Sequence, residues 1–397
     1  MLITAGRVLT DASSGTYVQD GAVLINGDTI VAAGPRTQVE AQAPPGEKRL
    51  AYPDATLLPG LIDAHVHLIF DASPDPKAVL EHSDEKLLED MQGRAETLLR
   101  SGVTTVRDLG DRNGLALRLA DAIGSGSATG SRIVSAAVPL TPVGGHCWFL
   151  GGEVSGASEI RRLIERNVAS GAQVIKVMAT GGGLTKDGPA SWEPQFTPDE
   201  LAVVVDEAHQ AGLPVAAHAH GVDGIAAAAD AGVDTIEHCT WMTPDRNFEL
   251  REDVLDQIVS KGIYVCPTIT PKWKILPQVF SAERFETISG NVRRMAEAGS
   301  QLIAGTDAGV QRAQFGGLAA SLGFYERLEL PASYIIDMAT GQAAQALGLG
   351  KEVGRLAAGY RADLLVVDGD PLENLDALQA VKTVIAGGKR HQPVPSA

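Results

Sequence analysis

The sequence predicts an α/β protein in which a (β/α)₈ barrel is flanked by a small β-sandwich domain built from both chain ends. Two observations lead to this prediction. Between residues 59 and 353, a helical segment that ends in glycine is followed at once by an apolar strand six times over. Outside that region, short apolar runs alternate with turn residues and helical periodicity is nearly absent, which is typical of sheets.

The two chain ends carry the β pattern. Near the start, "VLINGDTIVAAG" predicts two strands around an Asn-Gly-Asp turn, and "RLAYPDATLLPG" predicts a further strand with a Pro-Gly stop. Near the end, "YRADLLVVDGDPL" and "VKTVIAGGKR" return to this pattern. We therefore expect residues 1–58 and 354–397 to form one small β-sandwich domain, with residues 59–353 as the catalytic barrel.

The repeated glycine marks the barrel. Glycine just after a helix takes the left-handed conformation that ends the helix, so each repeat indicates a helix leading into a buried strand. Eight strands alternating with helices in about 290 residues fit a TIM barrel. A doubly wound sheet is the alternative, but no G-x-G-x-x-G fingerprint follows the first strand. The strands are predicted at 61–67, 103–107, 132–137, 173–178, 214–218, 234–238, 263–266 and 301–305.

Composition limits the class of partner. The 397 residues carry a formal net charge of −16, which disfavours nucleic acid as a partner. The three cysteines form no C-x-x-C pair, and we find neither a signal-peptide pattern nor an apolar run of membrane-spanning length. We expect a soluble cytoplasmic protein that acts on a small molecule and binds no membrane. Homo-oligomer formation is left open.

Polar residues fall at the carboxyl ends of the predicted strands, where barrel enzymes keep their active sites. His65 and His67 end the first strand and share one face, because alternate strand residues do. Neutral imidazoles that converge on one point suit a divalent metal. An isolated H-x-H is an ordinary pair of histidines as often as it is a metal site. The other polar residues at the strand ends favour the metal site here.

Lys176 lies within the apolar strand "QVIKVMATGG". Burial lowers the pKa of a lysine, and the neutral amine can add carbon dioxide to give a carbamate whose two oxygens can bridge two metals. A lysine paired with a buried acid is the alternative. Read beside the H-x-H pair, the lysine favours a two-metal site.

Three further strand ends supply the remaining candidates. His218 and His238 fit a second metal, whereas His220 shares the face of His218 and is left as a substrate-binding or supporting residue, or a structural histidine. Asp307, in "AGTDAG", fits the first metal and can also accept a proton from water. An acidic helix N-cap is the alternative for Asp307.

The motifs "PGLIDAHVH", "VIKVMATGG", "AAHAHG", "TIEHCT" and "GTDAG" together resemble the amidohydrolase superfamily over nearly the whole chain, and its prolidase-like and imidazolonepropionase-like branch in particular. The resemblance implies that His65 and His67 ligate the more buried metal, with Asp307 as further ligand and proton shuttle. It implies that N6-carboxylated Lys176 bridges to a second metal held by His218 and His238.

The implied reaction is hydrolysis of an amide bond by a hydroxide that bridges the metals, as in dipeptidases, carboxypeptidases and hydrolases of N-acyl amino acids, aryl amides or carbamates. His146, in the Gly-rich loop after the third strand, is the candidate for binding substrate and the developing oxyanion. An exposed loop histidine is the alternative. Zn²⁺ is the default metal, with Mn²⁺, Fe²⁺ or Co²⁺ as alternatives.

Two other functions compete with the linear amide hydrolase. The same ligands serve a cyclic amide or lactone hydrolase and a ring deaminase, because these share the hydroxide mechanism. A non-catalytic scaffold relative is a remote alternative, since such proteins usually lose metal ligands and this chain keeps them.

Overall fold

A computed structural model describes residues 1–393 of the chain. Within them, no helix has both the length and the apolar character needed to cross a membrane. The strands are β1 (Leu2–Val8), β2 (Val18–Asn26), β3 (Thr29–Pro35), β4 (Arg49–Pro59), β5 (Leu61–Val66), β6 (Val103–Asp108), β7 (Arg132–Ser135), β8 (Thr141–Pro142), β9 (Glu153–Val154), β10 (Ile175–Met178), β11 (Val215–Gly221), β12 (Thr235–Met242), β13 (Tyr264–Cys266), β14 (Gln301–Leu302), β15 (Leu364–Asp368), β16 (Val381–Ala386) and β17 (Lys389–His391). The α-helices are α1 (Arg36–Glu40), α2 (Asp84–Arg100), α3 (Leu115–Gly124), α4 (Gly156–Ala169), α5 (Pro198–Gln210), α6 (Val222–Ala231), α7 (Glu252–Ser260), α8 (Leu276–Phe280), α9 (Ala282–Glu297), α10 (Leu318–Arg327), α11 (Ala332–Met338) and α12 (Gly341–Ala346).

Strands from both chain ends form one seven-stranded sheet, in the order β17-β16-β15-β4-β1-β2-β3. β1 pairs antiparallel with β2 and parallel with β4, and β15 pairs antiparallel with β4. The pairing of β15 with β4 joins the two chain ends. The two facing sheets of a sandwich and the domain boundaries stay predictions, and residues 394–397 of the predicted domain lie outside the described part of the chain.

Each of the eight strands predicted for the barrel has a counterpart in one of two parallel sheets. β5, β6 and β7 form the first sheet, and β10, β11, β12, β13 and β14 form the second. Backbone hydrogen bonds cross between these sheets at both edges: Gln173 N donates to Ser135 O, and Ala64 N donates to Ala304 O, each at 2.9 Å. A closed barrel needs such contacts, and closure into a single eight-stranded sheet stays a prediction.

One apolar cluster contains residues of both parallel sheets and of α12. It includes Ala64 of β5, Ala136 just after β7 and Ala216 of β11, each 0% exposed, and α12 contributes Ala343 and Ala344. Small side chains allow the strands and the helix to approach closely. Because both sheets share this core, the carboxyl ends of their strands are held in one rigid body.

The glycine signal read from the sequence is confirmed. All six glycines have positive φ, between 67° and 98°. Each follows a helix and precedes a strand, as the C-terminal capping rule requires. They are Gly102, Gly171, Gly212, Gly232, Gly262 and Gly299.

Two glycine-to-alanine changes test the packing of the loops against the strands. An alanine Cβ at Gly152 would lie 1.8 Å from Pro139 O, a backbone atom that cannot rotate away, whereas the surroundings of Gly93 in α2 are open. We expect Gly152→Ala to lower the free energy of unfolding by about 1–3 kcal/mol and Gly93→Ala to raise it by up to ~1 kcal/mol. Urea denaturation measures both, and equal stabilities would contradict the contact at Gly152.

Candidate metal centre

The carboxyl end of β5 and the segment after β14 bring three predicted ligands together. His65 Nε2 lies 3.4 Å from Asp307 Oδ1, and His67 Nε2 lies 3.5 Å from the same oxygen. Asp307 N donates to His65 O at 2.8 Å, which holds the two segments side by side. Two ring nitrogens and a carboxylate oxygen around one point form a donor set for a divalent cation. We call His65, His67 and Asp307 the first ligand group.

The ends of β11 and β12 form a second cluster. The ring of His238 lies 4.5 Å from that of His218 and 4.5 Å from that of His220, and one nitrogen of each ring lies within 4.8 Å of the others. We call these three histidines the second ligand group. The rings of His238 and His65 are 5.1 Å apart, so the two groups face one another across a single site.

Each histidine in the two groups has one ring nitrogen anchored by the protein. Carboxylate and carbonyl oxygens can only accept, so the ring nitrogen that faces them carries the proton and the other nitrogen presents its lone pair. The threonine hydroxyls that contact His220 and His238 can likewise accept the ring proton. The contacts are His65 Nδ1 with Glu237 Oε2 (2.7 Å), His67 Nδ1 with Gly110 O (3.3 Å), His218 Nε2 with Gly181 O (3.1 Å), His220 Nδ1 with Thr240 Oγ1 (3.1 Å) and His238 Nδ1 with Thr268 Oγ1 (2.7 Å).

Burial keeps four of these rings neutral, those of His67, His218, His220 and His238. It lowers the pKa of His67 to about 3 and that of His220 to about 4, and it lowers the pKa of His218 and His238 well below the usual value. A metal ligand must be deprotonated at the coordinating atom. The rings can therefore bind a cation at neutral pH, and the donor set fits the metals that the sequence predicts.

Lys176 lies on β10 with 1% of its surface exposed, and its Nζ has no hydrogen-bond partner within the described residues. Burial lowers the pKa of Lys176 to about 8, against the opposing charges of Glu237 and Asp307. Its charge in turn lowers the pKa of His67 and of His218, one from each ligand group. The amine is thus within electrostatic range of both groups, and no partner occupies its nitrogen.

His146 is buried beside the second ligand group, on the loop between β8 and β9. Its ring lies 4.6 Å from the ring of His218, it is 3% exposed, and its Nδ1 has no partner in the described structure. The backbone N of His146 donates to Gln195 Oε1 at 2.7 Å, which fixes the loop over the strand ends. The structure thus brings all eight predicted site residues into one region.

Comparison with known proteins identifies the family. The model of the amidohydrolase family matches residues 56–390, which is most of the chain. The chain belongs to the amidohydrolase family. Membership makes it a hydrolase that acts on carbon–nitrogen bonds, and the resemblance predicted from the motifs is confirmed.

This amidohydrolase has relatives with different substrates. It is 29% identical over 383 residues to the ochratoxinase of Aspergillus niger, covering 84% of this chain and 75% of the relative. It is 27% identical over 411 residues to the imidazolonepropionase of Paracoccus denitrificans, covering 93% of each. The structure of a Xaa-Pro dipeptidase with bound methionine superposes with a TM-score of 0.86 at 31% identity, covering 98% and 99% of the two chains.

Sequence reasoning missed Glu237 and gave no role to Arg107. Glu237 is 0% exposed and Arg107 is 1% exposed, and Arg107 Nη2 lies 2.8 Å from Glu237 Oε1. The available signal was a charged residue within each buried strand, since a charge is buried only with a partner. His65 and Glu237 are 172 residues apart, so the sequence could not name the partner.

Backbone conformation lets the amidohydrolase aim neighbouring residues at one place. On a regular strand Glu237 and His238 would point to opposite faces. His238 and Cys239 instead have φ of 68° and 48°, which breaks the alternation, and both Glu237 and His238 approach His65. Asp307 also has positive φ, at 57°. Such strained conformations cluster at functional sites.

Asp63 joins the two segments of the first ligand group. Its Oδ1 accepts from His65 N at 3.3 Å and from Thr306 N at 3.0 Å, and its Oδ2 accepts from Thr306 Oγ1 at 2.6 Å. Burial raises the pKa of Asp63 to about 6. The aspartate of "LIDAHVH" therefore sets the position of His65 against that of Asp307.

Two adjacent glycines test the placement of His146. An alanine Cβ at Gly182 would lie 2.4 Å from His146 Cε1, whereas Gly183 has open space on the corresponding side. We expect Gly182→Ala to displace the His146 ring from His218 and to shift its resonances in the NMR spectrum of histidine-labelled protein. Gly183→Ala is the matched control. An unmoved His146 signal in folded Gly182→Ala protein would contradict the contact.

Proposed function

We propose that this amidohydrolase cleaves a linear amide bond in a small-molecule substrate and depends on two divalent cations. One observation carries the proposal: four buried imidazoles and the partly exposed His220, each with one anchored and one free ring nitrogen, converge beside Asp307 and an unpartnered Lys176. Such free lone pairs are costly to bury unless a ligand uses them. A scaffold protein would have no use for them, which disfavours the non-catalytic alternative.

We assign one cation to the first ligand group, formed by His65, His67 and Asp307. His218 and His238 would hold the other cation, and carboxylated Lys176 would supply carboxylate oxygens to both cations. The neutral amine that carboxylation requires becomes more abundant as the pH rises through the lowered pKa of about 8. Zn²⁺ is the proposed metal, because nitrogen ligands on a rigid frame suit it.

The cations would lower the pKa of a shared water molecule and polarise the scissile carbonyl. Burial opposes ionisation of Asp307, but its contact with His65 and the nearby charge of Lys176 outweigh burial and lower the pKa of Asp307 to about 2. Asp307 is therefore a carboxylate at neutral pH. It takes the proton that the attacking water loses and delivers it to the leaving nitrogen as the carbon–nitrogen bond breaks.

Two histidines are assigned to the substrate. His146, with its free Nδ1 beside His218, donates to the carbonyl oxygen as negative charge develops there. Burial lowers the pKa of His146 to about 3, so it acts as a neutral donor. His220, with its ring stacked on His238 at an interplanar angle of 18°, lines the substrate side of the second ligand group.

The relatives narrow the proposed substrate class. A Xaa-Pro dipeptidase and an ochratoxinase are among the proteins this chain resembles. We infer a peptide-like or N-acyl amino acid substrate for this chain. The imidazolonepropionase relative supports ring opening as the second candidate function.

The architecture proposed for this function keeps the predicted boundaries. We propose that residues 59–353 form the catalytic barrel and that residues 1–58, with the described part of the predicted segment 354–397, form the small β domain. The crossing hydrogen bonds between the two parallel sheets support barrel closure. The cytoplasmic location remains a prediction from the sequence.

A substrate panel tests the proposal. Zn²⁺-loaded enzyme, reconstituted with bicarbonate, is assayed against dipeptides, N-acyl amino acids, aryl amides, lactones and cyclic ureas. We expect turnover of a linear amide, and a loss of at least 100-fold in kcat/KM for Lys176→Ala, because the bridging carboxylate is removed. Turnover of ring substrates only would favour the second candidate function. Full activity in Lys176→Ala would contradict the assigned bridge.

A further inference from the structure

The five histidines of the two ligand groups are anchored by unequal partners. His65 Nδ1 faces a carboxylate, Glu237 Oε2, at 2.7 Å, whereas the other four histidines face backbone carbonyls or threonine hydroxyls. A charged acceptor draws the ring proton more strongly and makes the opposite nitrogen a better donor to a metal. His65 Nε2 is therefore the strongest nitrogen donor of the site.

Glu237 is held ionised within the protein interior. Arg107 Nη2 donates to Glu237 Oε1 at 2.8 Å, and Thr235 Oγ1 donates to the same oxygen at 2.5 Å. The Arg107 guanidinium thus pairs with the Glu237 carboxylate inside the protein, with 1% and 0% of the two side chains exposed. An unpaired carboxyl group at this depth would be neutral instead.

Arg107 also binds the backbone of β5, the strand that carries His65. Arg107 Nε donates to Ala64 O at 2.7 Å, and Arg107 Nη1 donates to Thr235 Oγ1 at 3.1 Å. Ala64 directly precedes His65, so Arg107 and Glu237 bind both the backbone and the ring of that region. This closed circuit fixes the orientation of the His65 ring as well as its protonated nitrogen.

The second ligand group lacks a charged anchor among the described contacts. Thr268 Oγ1 donates to Pro267 O at 2.8 Å, so it receives the Nδ1 proton of His238 as a neutral acceptor. Thr240 Oγ1 likewise donates to His220 O at 3.2 Å. These hydroxyls orient the rings without adding negative charge behind them.

We propose that Glu237 is a positioning residue that makes the first ligand group the higher-affinity cation site, so that this group fills before His218 and His238. The inference rests on the proposed two-cation function and goes beyond it, because it assigns an order of loading and the residue that sets it. Arg107 supports this role by keeping Glu237 charged and in place.

Zinc titration of metal-depleted protein tests the inference directly. Competition with a chromophoric chelator gives the affinity of each class of site. A His238→Asn background, which lacks a ligand of the second group, isolates the first group. We expect Glu237→Gln in this background to weaken Zn²⁺ binding about 10–100-fold, the usual effect of removing such a supporting partner.

Three further variants keep the result specific. Arg107→Gln/Glu237→Gln removes both buried charges, so it avoids the unpaired arginine that would destabilise the single variant. Asp111→Asn is the matched control, because this buried carboxyl group accepts from Leu115 N and Ala116 N at the start of α3 rather than from a histidine. Thr268→Val in the wild-type background is expected to weaken the second class of site and spare the first.

The outcomes separate the inference from the proposed function. Selective loss of first-group affinity in folded Glu237→Gln or in the double variant, with unchanged affinity in Asp111→Asn, supports the inference. First-group affinity within threefold of the parent in both folded Glu237 variants overturns it alone. Absence of zinc binding by the wild-type protein overturns the proposed function together with the inference.

Discussion

The site depends on keeping buried imidazoles neutral while fixing each ring by one hydrogen bond. Burial lowers the pKa of four of the five ligand-group histidines, and the anchoring acceptors decide which nitrogen keeps its proton. Without the first condition the rings would repel a cation. Without the anchoring hydrogen bond, either ring nitrogen could carry the proton, and the other could face the cation. Both conditions require a rigid, dry interior, and this is what the parallel strands provide.

The rigid frame accounts for the unusual local backbone. His238 and Asp307 take positive φ, and Asp63 ties β5 to the segment that carries Asp307. Strain of this kind persists when surrounding contacts determine the conformation. The small alanines of the shared core allow the strands to approach closely. Arg107 can therefore bind Glu237, and Glu237 can bind His65, so that a charged carboxylate contacts the ring of one ligand.

The strand positions and the helix-ending glycines could be predicted from the sequence, as could the eight candidate residues that the structure brings into one region, because these signals are local: periodicity, a capping residue, or a polar residue at a strand end. Contacts between residues that lie far apart in the chain could not be predicted from the sequence. The partner of His65 depends on how the sheet that contains β5 lies against the sheet that contains β12, and the burial of His146 depends on how a loop folds over Gly182. Neither spacing nor composition encodes these distances. The substrate is hidden for the same reason, since loop shape determines it.

Anomalous X-ray diffraction from Zn²⁺-loaded crystals, collected at the zinc edge, tests the central claim most directly. The account predicts two peaks, one among His65, His67 and Asp307 and the other between His218 and His238, with electron density for a carboxylate extending from Lys176 Nζ. A single peak, or zinc bound elsewhere with Lys176 unmodified, would contradict the two-cation site.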